Sequence, residues 1–489
     1  MPINRVEGDL SVRLTVEDGL VRRAYVSCHR YRGFENLMRG RAAMDSLVLT
    51  PRICGICGTA QQHAAVLALE DATSISPGPG ACAVRNVALA CEHFENNMRH
   101  LGMYFMPDFT APEYAGRPFH DEAVERFTPL KGSFVAETLA ATRDVLRITA
   151  LLGGQWPHSS YMVPGGVTYL GRKADTVQCL SWLDDFQTWF ETSLLGCSLD
   201  EWFEVDSANA LEGWLEAPAH AQSLFGFYAR VARETGLDAI GRGPDLMFSY
   251  GAFPEADGSR LIPAGLGRDG AVADFDPTRI VEDTTYSRYK DASVLPPHQG
   301  VTDPNAAPDD SAYSWAKAVR YDGQAAETGP LADLLVMGDP LIRDLAKGGS
   351  NVFVRQMARM QITALLIGRC RSWLTAALGE TSFYDEHPPI QEGDGVGLTN
   401  APRGALGHWI SVRDGAVERY QIVTPTTWNG SPRDERGGPG PFEQALEGTP
   451  VEGNVEEGDT PVTVGHVVRS FDPCVVCAVH FIDLRKSHG

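Results

Sequence analysis

The sequence predicts a mainly α-helical fold with smaller α+β parts: a central bundle of long helices, an N-terminal β-hairpin, and loop-and-strand insertions. Three observations carry this reading. Stretches near 59–72, 81–106, 134–153, 175–195, 219–235 and 350–379 place apolar residues at three- and four-residue spacings with no internal proline. Residues 10–17 alternate Leu10, Val12, Leu14 and Val16 with polar neighbours and run into Asp18-Gly19. Two long stretches, 253–330 and 386–465, are rich in the residues that punctuate regular structure.

Taken in order, the alternation at 10–17, the Asp-Gly pair and Val21 to Val26 make a hairpin with a tight turn. From Ser46 the period changes from two to about 3.6, and helices of about 20–30 residues at this frequency suit a bundle. Pro296-Pro297-His298-Gln299-Gly300 and Pro304-Asn305-Ala306-Ala307-Pro308 interrupt it, as do Asn429-Gly430-Ser431-Pro432 and Gly437-Gly438-Pro439-Gly440-Pro441. The acidic stretch 452–459 reads as a solvated loop. No repeat and no sharp boundary divides the chain, so the expectation is one body over 1–489. Within it lie a β part to about residue 45, a helical core over 46–250 and 340–385, insertions over 251–339 and 386–465, and a C-terminal metal-binding segment, 466–489.

With 43% hydrophobic and 9% aromatic residues, 489 residues can bury a sizeable core, which rules out a mainly disordered chain. Against 42 Lys and Arg stand 63 Asp and Glu, a net charge of −21 that repels phosphate and excludes nucleic acid and anionic membrane as natural partners. No run of about 18 apolar residues suggests a membrane span. The opening Met1 to Glu7 has no apolar leader core, which favours the cytoplasm. Ten cysteines are too few for a disulfide scaffold. Six of them, Cys28, Cys82, Cys91, Cys179, Cys197 and Cys370, stand alone and are expected to be buried small hydrophobes. The other four need chemistry.

They form two C-x-x-C pairs, Cys54/Cys57 in Arg52-Ile53-Cys54-Gly55-Ile56-Cys57-Gly58 and Cys474/Cys477 in Asp472-Pro473-Cys474-Val475-Val476-Cys477. Such a turn aims two sulfurs at one metal, and a helix beginning just after it lowers the thiol pKa. Thiolates select zinc, nickel, copper(I) or iron–sulfur over magnesium and calcium. A zinc ribbon would hold its pairs about 15–20 residues apart, which these are not; a zinc clasp joining the two ends stays open. A thioredoxin-like site would want a βαβ unit beside one pair, and none is visible.

The flanks of both pairs carry a resemblance. R-x-C-G-x-C is matched by Arg52 to Cys57, and D-P-C-x-x-C-x-x-H by Asp472 to His480. In the same order stand Arg5-Val6-Glu7-Gly8, Arg32-Gly33-Phe34-Glu35, Pro164-Gly165-Gly166, Tyr313 to Lys317, Arg320-Tyr321-Asp322-Gly323, Gly329-Pro330-Leu331 and Ala401-Pro402-Arg403-Gly404. With these motifs the chain resembles the large, catalytic subunit of nickel–iron hydrogenases over essentially its whole length.

The resemblance implies that Cys54, Cys57, Cys474 and Cys477 hold nickel, with Cys57 and Cys477 shared with an iron that carries carbon monoxide and cyanide. Dihydrogen would be split heterolytically, and Cys474 would take the proton. Glu7 would relay it; read from the residues alone, Glu7 is a surface carboxylate beside the hairpin. Glu35 and His480 match positions that bind magnesium. Arg403 would hold a fixed positive charge over the open side of the metal pair, unless it is only a structural ion-pair partner in its Pro402 turn. Asp472 would anchor Arg403 or the cysteine loop. His158 and His408 are left as core histidines.

Two departures bear on the subgroup. Gln61 stands where the frequent form of the family has a histidine able to bond a sulfur, and Asp9 stands where many members have histidine. Both, with Met106 to Thr110, resemble the branch of cytoplasmic uptake and hydrogen-sensing enzymes. The tail Phe481 to Gly489 is either removed in maturation or retained. No second set of closely spaced cysteines remains for iron–sulfur clusters, so the resemblance implies a small subunit that carries them, and a possible higher oligomer of such heterodimers. The expectation is a hydrogen-uptake enzyme; the alternative is a low-turnover hydrogen sensor that signals to a protein partner.

Overall fold

The structure, a computed structural model, describes residues 1–255, 257–268, 270–378, 380–451 and 460–478. The hairpin is present as read: β1, Leu10–Glu17, pairs with β2, Leu20–Cys28, across Asp18 and Gly19. Both turn residues have positive φ, 52° and 71°, as the tightest hairpin turns require. A short strand, Pro2–Ile3, extends this sheet at its edge.

All but one of the predicted helical stretches form. The principal ones are α1, Gly58–Thr73; α2, Pro79–Arg99; α3, Ser133–Gly153; α4, Lys173–Trp189; α5, Leu224–Glu234; and α6, Val352–Ala377. Helix α2 lies at the centre, packed on α3 and α6, and nearly every one of its side chains is buried. Two predicted helices end in wider, π-type turns, His100–Phe105 after α2 and Phe190–Leu195 after α4. The helix expected over 219–235 is broken. Ser223 is extended, and its hydroxyl accepts from the Gly226 amide to cap α5, leaving Pro218–Gln222 as a separate short helix. Of the six lone cysteines, Cys28, Cys82, Cys91, Cys179 and Cys370 are buried as expected; Cys197 is not.

Both non-helical stretches contain strands. In the first, β3, Met247–Pro254, pairs with β4, Arg260–Arg268. The second holds the antiparallel sheet β5, Gly393–Ala401; β6, Gly404–Arg413; and β7, Ala416–Val423. It also holds two short helices that the sequence reading missed, Pro425–Asn429 and Pro441–Leu446, each opening on a proline at the position where its missing N–H costs nothing. A last helix, α7, Val462–Ser470, precedes the second cysteine pair. The acidic stretch 452–459 and the residues after 478 lie outside the described residues.

The sheet β5–β7 is pressed directly onto α1. Alternate residues of β5 point to one face, and here these are Gly393, Gly395 and Gly397. A Cβ on them would lie 2.4, 2.0 and 1.9 Å from the carbonyl oxygens of Ala72, Ala68 and Ala64, one helical turn apart. Glycine is therefore demanded by backbone-to-backbone approach. This contact fixes the helix behind Cys57 against the strand that leads to Arg403. Replacing Gly397 with alanine should destabilise the protein by about 1–3 kcal/mol or more, the usual cost of overpacking. Gly368→Ala should be neutral or slightly stabilising, because no atom lies within 4 Å of its added Cβ. Thermal unfolding of the two variants side by side checks this. Among the described residues no helix is long and apolar enough to cross a membrane.

Candidate metal centre

Each cysteine pair sits in a turn that local contacts hold open to the other. The chain tightens through Thr50–Arg52 and enters α1 at Gly58, where a Cβ would lie 3.0 Å from the Pro51 carbonyl oxygen. The Cys54 Sγ accepts from the amides of Ile56 (3.3 Å) and Cys57 (3.4 Å). The helix N-terminus itself serves a different group. The amides of Thr59 and Ala60 donate to the two carboxylate oxygens of Glu92 at 2.7 and 3.0 Å.

The second pair follows α7 through Asp472, which adopts the left-handed region at φ 55°. Cys474 N–H donates to Thr426 Oγ1 (2.8 Å), and the N-terminal segment pairs alongside it: Glu7 N–H donates to Pro473 O (3.2 Å) and Val475 N–H to Glu7 O (2.7 Å). This requires Gly8. It has φ 95°, and a Cβ there would lie 3.0 Å from the Val476 amide nitrogen. Arg32 ties the two pairs together by donating to the carbonyls of Ile53 (2.5 Å), Arg52 (3.0 Å) and Val476 (3.5 Å).

The four sulfurs converge. Cys54 Sγ lies 3.6 Å from Cys474 Sγ, Cys57 Sγ 3.0 Å from Cys477 Sγ, and Cys474 Sγ 2.9 Å from Cys477 Sγ. All four are buried and lie within 4.8 Å of one another. Without a cation such a cluster supports little negative charge. Hydrogen bonds from Cys474, Cys477 and Cys57 draw Cys54 well below a free thiol. The contacts with Cys474 and Cys477 push Cys57 well above it, and burial raises Cys474 and Cys477. Four thiolates here require positive charge among them, and a soft four-sulfur donor set suits nickel with a second metal sharing sulfurs. The residues present fit the centre that the sequence suggested.

Arg403 and Pro402 are the two residues between β5 and β6, so the guanidinium stands at a hairpin tip. It is buried, its Nε lies 3.1 Å from Asp472 Oδ1, and its Nε and Nη1 form no aligned hydrogen bond among the described residues. Burial alone would lower its pKa; Asp472, Cys474, Cys54 and Cys57 raise it well above the ordinary value. Asp472 also receives Asn96 Nδ2 (2.8 Å), and it faces His100 Nδ1 at 3.2 Å and Arg359 at 3.8 Å. Although burial opposes it, Arg403, His100 and Arg359 hold this carboxyl well below the usual carboxylate range.

Glu7 is half-buried between solvent and the sulfurs. Burial raises its pKa, as do the negative charges of Cys54 and Asp472, and Arg403 opposes them. Gln61 accepts from His408 Nε2 (2.9 Å), whose Nδ1 accepts from the Tyr420 hydroxyl (2.8 Å); no hydrogen bond joins Gln61 to a sulfur among the described residues. Burial lowers His408 to about 3, so it is a neutral core residue.

Glu35 lies in a separate buried polar cluster. It accepts from Gln421 Nε2 (2.6 Å), the Ile422 amide (3.0 Å) and the Thr302 hydroxyl. Glu282 and Lys317 complete the cluster at 3.3 Å from each other. An oxygen-rich set with two carboxylates is compatible with magnesium. His480, the expected imidazole ligand, and the tail Phe481 to Gly489 lie outside the described residues.

Sequence reasoning missed Glu92, Glu95, Asn96 and His100. They recur at three- and four-residue spacing on α2 and just beyond it, so a polar stripe on an otherwise buried helix was the available signal. Burial raises Glu92 to about 8 and Glu95 to about 7. Glu282, Gln421 and Thr426 had no local signal, because each meets the site only through long-range contact.

Comparison with known proteins places this geometry. The family described as nickel-dependent hydrogenase matches residues 32–109 and 133–480. The chain is 29% identical to the periplasmic [NiFeSe] hydrogenase large subunit of Desulfomicrobium baculatum, over 98% of this chain and 94% of that protein. It is 27% identical to the hydrogenase-2 large chain of Escherichia coli, over 99% and 96%. The solved structure of the D. baculatum [NiFeSe]-hydrogenase superposes with a TM-score of 0.83 at 28% identity, covering 98% of this chain and 99% of that one. That of the Desulfovibrio vulgaris Hildenborough Ni-Fe-Se enzyme gives 0.82 at 28% identity, covering 98% of each.

Proposed function

The chain belongs to the nickel-dependent hydrogenase family, and from that premise we propose that it is the catalytic subunit of a dihydrogen-uptake enzyme, with a nickel–iron centre on Cys54, Cys57, Cys474 and Cys477. The observation that carries this is the convergence of four buried sulfurs from opposite ends of the chain. When bound, the centre supplies a soft, redox-active pair of metals at which dihydrogen is cleaved heterolytically; carbon monoxide and cyanide on the iron belong to the same proposal.

The protein's own part is proton handling and charge. The backbone of Cys474 is paired with that of Glu7, and the Glu7 carboxyl feels the charge of the neighbouring Cys54, so the proposed proton route runs from Cys474 to the Glu7 carboxylate. A carboxyl raised above its ordinary pKa in a half-buried setting can both accept and release it. Arg403 holds a fixed positive charge beside the sulfurs, kept in place by Asp472. Electrons leave through a partner, proposed to be a small subunit with the iron–sulfur clusters, since among the described residues no second group of four cysteines comes together. Magnesium at Glu35 and assembly into higher oligomers are further parts of the proposal.

The cytoplasmic expectation is not carried by the relatives, one of which is periplasmic by name. The sensing alternative drew on Gln61 and Asp9. Gln61 pairs with His408, and Asp9 makes an exposed ion pair with Arg30. Neither contact favours signalling.

Metal analysis and infrared spectroscopy of the co-expressed complex test the reading: stoichiometric nickel with sharp carbonyl and cyanide bands is expected, whereas zinc alone without such bands would sink it. Glu7→Gln should keep the metals and those bands. It should slow dihydrogen turnover by about 10²–10⁴-fold, the usual worth of a positioned acid–base group. Unchanged dihydrogen–deuterium exchange into solvent in that variant would remove Glu7 from the proton path.

A further inference from the structure

Outside the four-sulfur centre, the described residues contain one other grouping of three donors suited to a metal: Cys197, Glu201 and His220, whose donor atoms all lie within 4.8 Å of one another. Its geometry is built by three features. Gly196, at φ 73°, turns the chain so closely against the short helix Pro218–Gln222 that a Cβ would lie 2.5 Å from Ala219 O; this sets Cys197 beside His220. Glu201 follows four residues after Cys197, within the short helix Leu199–Phe203, one turn on.

Trp214 completes the arrangement. Its indole N–H donates to Cys197 Sγ at 3.4 Å, and its carbonyl accepts from His220 Nδ1 at 2.8 Å. The ring stacks on the imidazole, with centroids 4.7 Å apart and planes 8° from parallel. A carbonyl can only accept, so Nδ1 carries the hydrogen, and Nε2 presents either a lone pair or a second proton. It faces Glu201 Oε1 at 3.3 Å. A second proton makes this an ordinary ion pair; with the lone pair presented instead, a metal cation between the two groups removes the repulsion. Backbone fixing of the far imidazole nitrogen and an N–H donated to the sulfur are the outer contacts that orient metal ligands.

We propose that Cys197, Glu201 and His220 form a site for a zinc-like divalent cation, with a fourth position open to water. Tetrahedral zinc with one sulfur at about 2.3 Å and nitrogen and oxygen at about 2.0–2.1 Å needs donors about 3.3–3.6 Å apart, so donor atoms that lie within 4.8 Å of one another, two of them at 3.3 Å, close on the ion with side-chain movements of about 1 Å. Glu201 is exposed and Cys197 half-buried, so the site acts as a clasp at the surface. It joins the turn after α4 to the helix before α5.

The test uses the nickel-loaded complex, so that zinc cannot occupy the four-sulfur centre. After chelator treatment, titration with zinc sulfate against a chromophoric chelator should show one zinc per chain, with sulfur among its neighbours by X-ray absorption. Cys197→Ser and His220→Gln should weaken it at least about tenfold. Glu201→Gln, at an exposed position that the fold does not need, should weaken it as well. Dihydrogen-driven dye reduction should stay unchanged in all three. Absence of zinc uptake, equal affinity in the three variants, or a zinc shell without sulfur would overturn the proposal.

Discussion

Cys57→Ser is expected to leave the complex without stoichiometric nickel and to lower dihydrogen oxidation by more than about a hundredfold. The reason is charge as much as ligand count. Cys57 Sγ touches Cys477 Sγ at 3.0 Å, at the heart of the four-sulfur cluster. A hydroxyl there does not ionise under the conditions in which a thiol does, so the cluster loses one of the four anions that make a soft dication stable in a buried cavity. Loss of outer contacts to a metal already costs about 10–100-fold, and loss of a direct ligand should cost more. The fold should survive, because serine is smaller and α1 is held by β5 and Glu92 rather than by Cys57. Cys179→Ser, buried elsewhere, gives the matched control for thiol removal. Normal nickel content in the Cys57 variant would contradict the assignment of the centre.

Removing the charge at Arg403 should be the next largest effect. In Arg403→Gln, Asp472 keeps Asn96, His100 and Arg359 but loses the cation that most opposes its desolvation. Breaking a buried ion pair from one side costs about 3–5 kcal/mol, most of it the penalty of the stranded charge. Turnover should fall separately by about 10²–10³-fold, as when one preorganised donor is removed from a reacting site. Arg403→Lys distinguishes the two effects: it restores a cation for Asp472 but not the planar fork, so stability should recover more than rate. The measurements are thermal unfolding and dihydrogen oxidation on metal-loaded complexes. Equal turnover in the glutamine variant and the parent would confine Arg403 to a structural role.

Much of this arrangement is legible in the chain because its parts are local. Asp18-Gly19 encodes its turn, the long helices announce their period, and each cysteine pair is spaced to point both sulfurs one way. What could not be read arises from chain segments meeting at a distance. Gly393, Gly395 and Gly397 look like loop residues, yet they form a strand whose bare face accepts the carbonyls of α1. Ser223 has fair helix surroundings on both sides, and capping won over propensity. Cys197 reads as one more buried thiol until folding brings Glu201 and His220 to it. The helix that follows Cys57 was expected to lower thiol pKa values through its first amides; Glu92, thirty-odd residues on, takes them instead.

The two halves of the metal centre are 420 residues apart in the chain. At a synthesis rate of about 5–20 residues per second, Cys54 leaves the ribosome some 20–80 s before Cys474. Throughout that interval the earlier half waits with its sulfurs uncovered, and the N-terminal segment through Glu7 and Gly8 has no strand to lie against. Closing such a distant pairing is slow by topology alone. The nascent chain is thus accessible to metal delivery, and equally to oxidants and misplaced zinc, until the segment around Asp472 arrives and covers it.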